Sequence, residues 1–210
     1  MSQRRALAVL ACAHGVWAHS MSGTPLLFGL LFWSAGVLLL YDRIPERVGL
    51  TVGVMAALYG LLGVAPSTLN AAYLWAFLAG FVAPDLRHHA YRAVAATIYL
   101  FAGLNKVVSS TWRSGEIVAT SLNTPWIDLS GIATELAFLT VLAELGLVVL
   151  LAVRYRGTWI LMLFLHLGIL ATVSVNTRTF WALVNYGLLM VWFGVGALLS
   201  GRRTSPAVPG

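Results

Sequence analysis

Long apolar runs alternate with short polar breaks along this chain, and the runs have helical length. Hydropathy and breakers mark segments at about 4–21, 25–41, 48–65, 68–83, 89–108, 131–153, 158–175 and 179–199. A membrane-crossing helix needs roughly 20 mostly apolar residues. The pattern therefore predicts an all-α fold, a polytopic transmembrane helical bundle of about eight spans. Pro25, Pro66 and Pro84 fall at segment ends, where a missing N–H costs least. Residues 1–200 read as one transmembrane domain, and 201–210 as a disordered cytoplasmic tail after a basic stop.

The arginines orient this arrangement. Counting from an inside start, inner connections hold Arg43, Arg47, Arg87, Arg92, Arg154 and Arg156, with Arg4, Arg5, Arg202 and Arg203 at the ends. Only Lys106, Arg113 and Arg178 fall outside. Cytoplasmic loops are enriched in Lys and Arg, which selects both termini inside. The longest connection, from Lys106 to Asp128, then lies on the non-cytoplasmic face with Trp112, Arg113, Glu116 and Trp126. Arg4-Arg5 followed by Ala6–Ala13 has some features of a secretory signal, with Ala11-Cys12-Ala13 as a conceivable cleavage site. The apolar character continuing through Val16-Trp17-Ala18 favours a short first span instead.

Composition agrees with a cell-membrane location. Hydrophobic residues make up 60% of the chain and charged residues 10%, against about 25% charged in a soluble domain. The missing charge means that most of the surface faces lipid, so the bilayer is the first partner. The net charge of +6 follows the loops and forms no basic-aromatic patch, which excludes a nucleic-acid partner. Cys12 is the single cysteine, so neither an internal disulfide nor a CxxC pair is possible.

Charged groups inside spans are functional candidates by default. Lys106, the only lysine, ends an apolar run. It reads either as a snorkelling anchor or as a desolvated amine able to act as a base. A carboxylate from Glu135 or Glu116 within about 5 Å would keep it charged and favour the anchor. Glu144 lies ten residues before Arg154, and His166 ten residues after Arg156. Both are thus roughly 15 Å from the inner surface. A Glu144–His166 contact near the midplane is expected, as a structural pair, a proton relay or a hydrogen-bond site for a quinone head. Glu135 falls at about the depth of Lys106 by the same rise. Asn176 and Arg178 cap the outer end of the seventh segment, where they bind an anion such as carboxylate or bicarbonate, or where the arginine simply snorkels. His14 and His19, five apart, read as core or interface histidines, and His88 and His89 as headgroup-facing. No His/Cys/Asp/Glu spacing matches a metal site, so no metal is expected.

The pattern Ala102-Gly103-Leu104-Asn105-Lys106, with Trp112 and Gly115 following, resembles the Ala-Gly-x-x-Lys…Trp-x-x-Gly signature of the HTTM family. That family is the membrane domain of vitamin K-dependent gamma-carboxylases and their bacterial relatives. Leu142-Ala143-Glu144-Leu145-Gly146 and Phe164-Leu165-His166-Leu167 look like its acidic-then-histidine helix pair. The resemblance implies a membrane lyase in which Lys106 is the catalytic base, with Glu144 and His166 as further catalytic residues. Trp112, Arg113, Arg178 and Asn176 become the substrate-binding candidates on the same face. It also implies a reduced, vitamin K-like quinone, whose oxygenation yields a strong base, and an exported peptide or small molecule as substrate. Phe-Ala-Gly-x-x-Lys followed by Glu144-x-Gly146 also resembles DoxX and methylamine-utilisation membrane proteins, accessory modules that work beside quinone or thiol redox partners. A small transporter is the third reading, although no inverted repeat relates the two halves.

Overall fold

The computed structural model describes residues 3–22, 24–64, 67–121, 130–172 and 177–199. Among them are ten α-helices: α1 Gln3–Ser22, α2 Leu26–Leu40, α3 Glu46–Tyr59, α4 Thr68–Gly80, α5 Arg87–Val108, α6 Ser110–Arg113, α7 Glu116–Ser121, α8 Ala133–Ala152, α9 Thr158–Thr172 and α10 Thr177–Leu199. A π-helical stretch, Gly60–Val64, extends α3, and a 3-10 turn, Ser130–Ile132, leads into α8. Each predicted segment coincides with one long helix to within a few residues. The short helices α6 and α7 occupy the polar connection, which the hydropathy reading left without structure.

The count of eight spans is corrected. Three stretches, Glu46–Gly63, Ser130–Ala152 and Thr179–Leu198, are long and apolar enough to cross a membrane. The remaining long helices fall short for two physical reasons. The apolar helices α2 and α9 have only 15 residues each, about 22 Å of rise against a hydrocarbon core of roughly 30 Å. α4 is shorter still, at 13 residues. By contrast, α1 and α5 reach 20 and 22 residues, but Arg4, Arg5 and His14 dilute the first, and Arg87, His88, His89, Arg92 and Lys106 the second. With the even span number gone, the parity argument for both termini on one side goes too. The disordered-tail expectation at 201–210 lies outside the described residues.

The chain divides into two compact units, 1–94 with 188–210, and 95–187. In the first unit α1 to α4 pack in sequence. Arg4 ties α1 to the end of α2, donating from Nε to the Leu39 carbonyl at 2.7 Å and from a terminal nitrogen to those of Tyr41 and Ile44. The Leu39 carbonyl lies in the last turn of α2, where a helix end leaves acceptors without intrahelical partners, and Tyr41 and Ile44 belong to the connection that follows. The centre is aromatic, with Phe28, Phe32, Tyr73 and Phe77 fully buried. His14 lies among them, stacked on Tyr73 and Trp17 and bonded to Asn70 Oδ1 at 2.9 Å. It is the core histidine that its sequence position suggested.

The second unit is built on α8. Its buried residues Ala133, Ala137, Val141, Glu144, Leu147 and Leu151 recur every three or four positions, one stripe of a 3.6-residue helix. A carboxylate occupies the middle of that stripe.

Candidate functional site

On α5, Ala95, Tyr99 and Gly103 are buried and recur at intervals of four, with Lys106 three residues further on. They share one face of the helix. Gly103 makes the contact with α8 possible: a Cβ there would lie 2.8 Å from Leu145 Cδ2 and 3.7 Å from Glu144 Cβ. Leu145 and Glu144 of α8 therefore pack their side chains against the bare face of Gly103.

Helical side chains lean toward the N-terminus of their helix. The Lys106 stem runs back along α5 to this level, and its Nζ donates to both Glu144 carboxylate oxygens at 2.7 Å. The carboxylate beside the amine is thus Glu144, rather than Glu135 or Glu116. Placing Lys106 at the depth of Glu135 counted backbone rise and omitted the reach of a long side chain. The Glu144 side chain is 8% exposed and that of Lys106 20%, so the pair is open to its surroundings on the lysine side.

That side has a second partner. Lys106 Nζ sits 4.9 Å from the centre of the Trp112 ring, within the range of a cation–π contact. Trp112 is held in place from both ends. Ser109 caps α6 by accepting from the Trp112 backbone N–H at 3.2 Å, and the indole Nε1 donates to the Ala137 carbonyl at 3.2 Å. Gly115 then turns the chain at φ +76°, a left-handed conformation that side chains disfavour. A Cβ there would come within 2.7 Å of the Thr134 backbone nitrogen. The Trp112-x-x-Gly115 spacing therefore straps the α5–α7 connection onto the first turns of α8.

Beside Lys106 opens a cleft of about 510 Å³, with a nearly wholly apolar wall. Trp112, Phe138 and Val141 line it with Lys106, and Arg113 and Glu135 add the charges. That volume is in the range of small-molecule sites.

His166 takes a different partner from the one expected. Its Nε2 lies 3.0 Å from the Tyr99 hydroxyl, and its ring packs edge-on to Tyr186 with centroids 5.6 Å apart. Glu144 bonds to Lys106 instead. The depth arithmetic located Glu144 and His166 along their helices but carried no information on which way each faces. Asn176 lies outside the described residues, as does the side chain of Arg178, while Arg178 itself belongs to the first turn of α10. Of the seven candidates, Lys106, Trp112 and Arg113 line one cleft, Glu144 is bonded to Lys106, and His166 stands one hydrogen bond from Tyr99 on the same helix as Lys106. Tyr99 was missed as a site residue. Its signal was the Tyr99, Gly103, Lys106 spacing, which places a phenol and an amine on one helical face.

No family model, no curated protein and no solved structure matches the chain.

Proposed function

We propose that this chain is an integral membrane enzyme similar to vitamin K-dependent gamma-carboxylases, with the Lys106 amine as its base. The observation that carries this is an amine at the edge of an apolar cleft, with the Glu144 carboxylate in place to take its proton. A proton crossing that 2.7 Å contact leaves a neutral amine and a neutral carboxylic acid. In a weakly polar setting the neutral pair avoids the cost of desolvating two ions. Glu144 thereby serves as the first acceptor of the lysine proton, and the Trp112 ring favours the amine's return to the charged form. Phe138 and Val141 suit the ring and tail of a reduced quinone, which when bound supplies the reducing power and strong-base chemistry of such a reaction. Arg113 at the rim suits a carboxylate, whether from an exported peptide or a small molecule.

Orientation follows from charge. Arg154 and Arg156 follow the end of α8 directly, while on its other side only Arg113 falls within about 20 residues of Ser130. The positive-inside rule puts the Arg154–Arg156 end in the cytoplasm and the cleft on the non-cytoplasmic face of the cell membrane.

Mass spectrometry of the protein purified in mild detergent tests the ligand. A quinone should co-purify and be lost when Phe138→Trp fills the cleft. Recovery of phospholipid alone would count against a quinone site. A carboxylate within about 5 Å favours the anchor, and Glu144 in place of Glu135 or Glu116 meets that condition, which supports a second reading, an accessory redox module in which Lys106 is an anchoring cation. Lys106→Arg separates the two, because arginine keeps the charge and the fork geometry but does not deprotonate in proteins.

A further inference from the structure

One turn below the Lys106–Glu144 pair, the same face of α5 makes a second buried polar contact that the base chemistry above leaves unused. Tyr99 is 2% exposed and His166 8% exposed, and their side chains meet at 3.0 Å. The groups facing the imidazole are the Tyr99 phenol from α5 and the Tyr186 ring from α10. Among the described residues no carboxylate forms an ion pair with His166. The ionised group within electrostatic range of both phenols is Glu144, itself bonded to Lys106. Gly103, whose Cβ position lies 3.7 Å from Glu144 Cβ, is four residues after Tyr99. Tyr99 therefore stands about one helical turn along α5 from the level of Glu144, and the path needs a water between the phenol and the carboxylate.

We infer that Tyr99 is the link in a proton path from Lys106 through Glu144 to His166, which holds the proton lost by the base only in passing, because among the described residues no ion pair offsets a buried imidazolium. The Lys106 ammonium gives its proton to the Glu144 carboxylate, leaving a neutral amine and a carboxylic acid. The acid passes a proton through the water to the Tyr99 oxygen as Tyr99 passes its own hydroxyl proton to His166 Nε2. Glu144 and Tyr99 end as they began, Lys106 is neutral, and His166 is an imidazolium. The charge of the four groups together is unchanged, and no co-reactant beyond the water is needed. A phenol suits the middle position because its oxygen both donates and accepts. The path requires the neutral His166 ring to carry its proton on Nδ1, so that Nε2 accepts.

The path rests on Lys106 acting as the base, but its test needs no turnover. The whole protein, labelled with ¹⁵N-histidine and held in lipid nanodiscs, reports exchange of the His166 ring between neutral and cationic forms by relaxation dispersion. Tyr99→Phe and Glu144→Gln should each slow that exchange about tenfold or more. The double variant should be no slower than the slower single variant, since both lie on one route. Exchange at the wild-type rate in Tyr99→Phe, or effects that multiply in the double variant, would overturn the path. If Tyr99→Phe does not fold, 3-fluorotyrosine at position 99 preserves the shape and hydroxyl but changes the acidity, and an unchanged rate there also overturns it. The two readings fail separately. An active Lys106→Arg beside slowed exchange in Tyr99→Phe removes Lys106 as the source of the proton and leaves the Glu144–Tyr99–His166 route, while an inactive Lys106→Arg beside unchanged exchange removes only the path.

Discussion

At the scale of single residues, the Lys106–Glu144 contact makes two kinds of demand that different substitutions separate. Lys106→Ala leaves a carboxylate that is 8% exposed without its cation, and removing one partner of a buried pair costs about 3–5 kcal/mol. The lysine is itself one-fifth exposed, so water screens part of that loss and the low end, about 3 kcal/mol, is expected. Thermal unfolding in detergent measures it. Lys106→Met with Glu144→Gln should recover most of the loss, because no unpaired charge remains. Lys106→Arg should fold nearly as well as the wild type and, if the amine is the base, have no activity. Full activity in that variant sinks the catalytic reading.

At the scale of elements, two glycines set how the helices meet. Gly103→Ala puts a methyl group 2.8 Å from Leu145 Cδ2, so α5 and α8 must part or Leu145 must leave its rotamer. Overpacking of this kind costs about 1–3 kcal/mol. Because Lys106 reaches Glu144 at this same level, activity should fall along with the melting temperature. Gly115→Ala pairs the left-handed backbone with a contact of 2.7 Å to backbone rather than to a flexible side chain. It should therefore be the more damaging of the two, and should loosen Trp112 in particular. Trp112 fluorescence, isolated by replacing the other tryptophans with phenylalanine, checks this. An emission spectrum identical to the wild type in Gly115→Ala would remove the strap from the account.

At the scale of the molecule, the question is which surface meets lipid and which way it faces. Large apolar side chains are exposed on α2, α3, α5, α8 and α9, among them Trp33, Met55, Phe101, Phe138 and Phe164. Monomeric soluble proteins rarely leave so much apolar surface in water. The three full-length apolar stretches are long and apolar enough to cross a membrane, and the short helices α2 and α9 add apolar surface without the length to cross alone. Cysteine placed at Arg113, in a Cys12→Ala background, tests the orientation. A membrane-impermeant maleimide added to intact cells should label it, and cysteine at Tyr155 should be labelled only after the membrane is opened. The reverse pattern would put the cleft on the cytoplasmic face.

Helix positions were legible in the sequence because apolar run length and breakers are local properties, and each segment from 4–21 to 179–199 corresponds to a helix. The same residues held the limits on crossing length, since His88, Arg92 and the 15-residue extents of α2 and α9 are plain in them; an average taken over the whole chain concealed those limits. Lys106, Trp112 and Gly115 stood out because one is unique and the others follow at fixed spacing. Partner choice was decided only by the tertiary structure. Rise per residue gives the depth of Glu144 and His166, but their azimuth depends on which helices pack against α8 and α9. The reach of the Lys106 stem, which turns a residue near a helix end into the partner of a carboxylate deep in α8, depends on Gly103 letting the Leu145 and Glu144 side chains of α8 come close. Pairing between helices 38 and 67 residues apart in the chain, Lys106 with Glu144 and Tyr99 with His166, is a non-local fact that no periodicity within either segment contains.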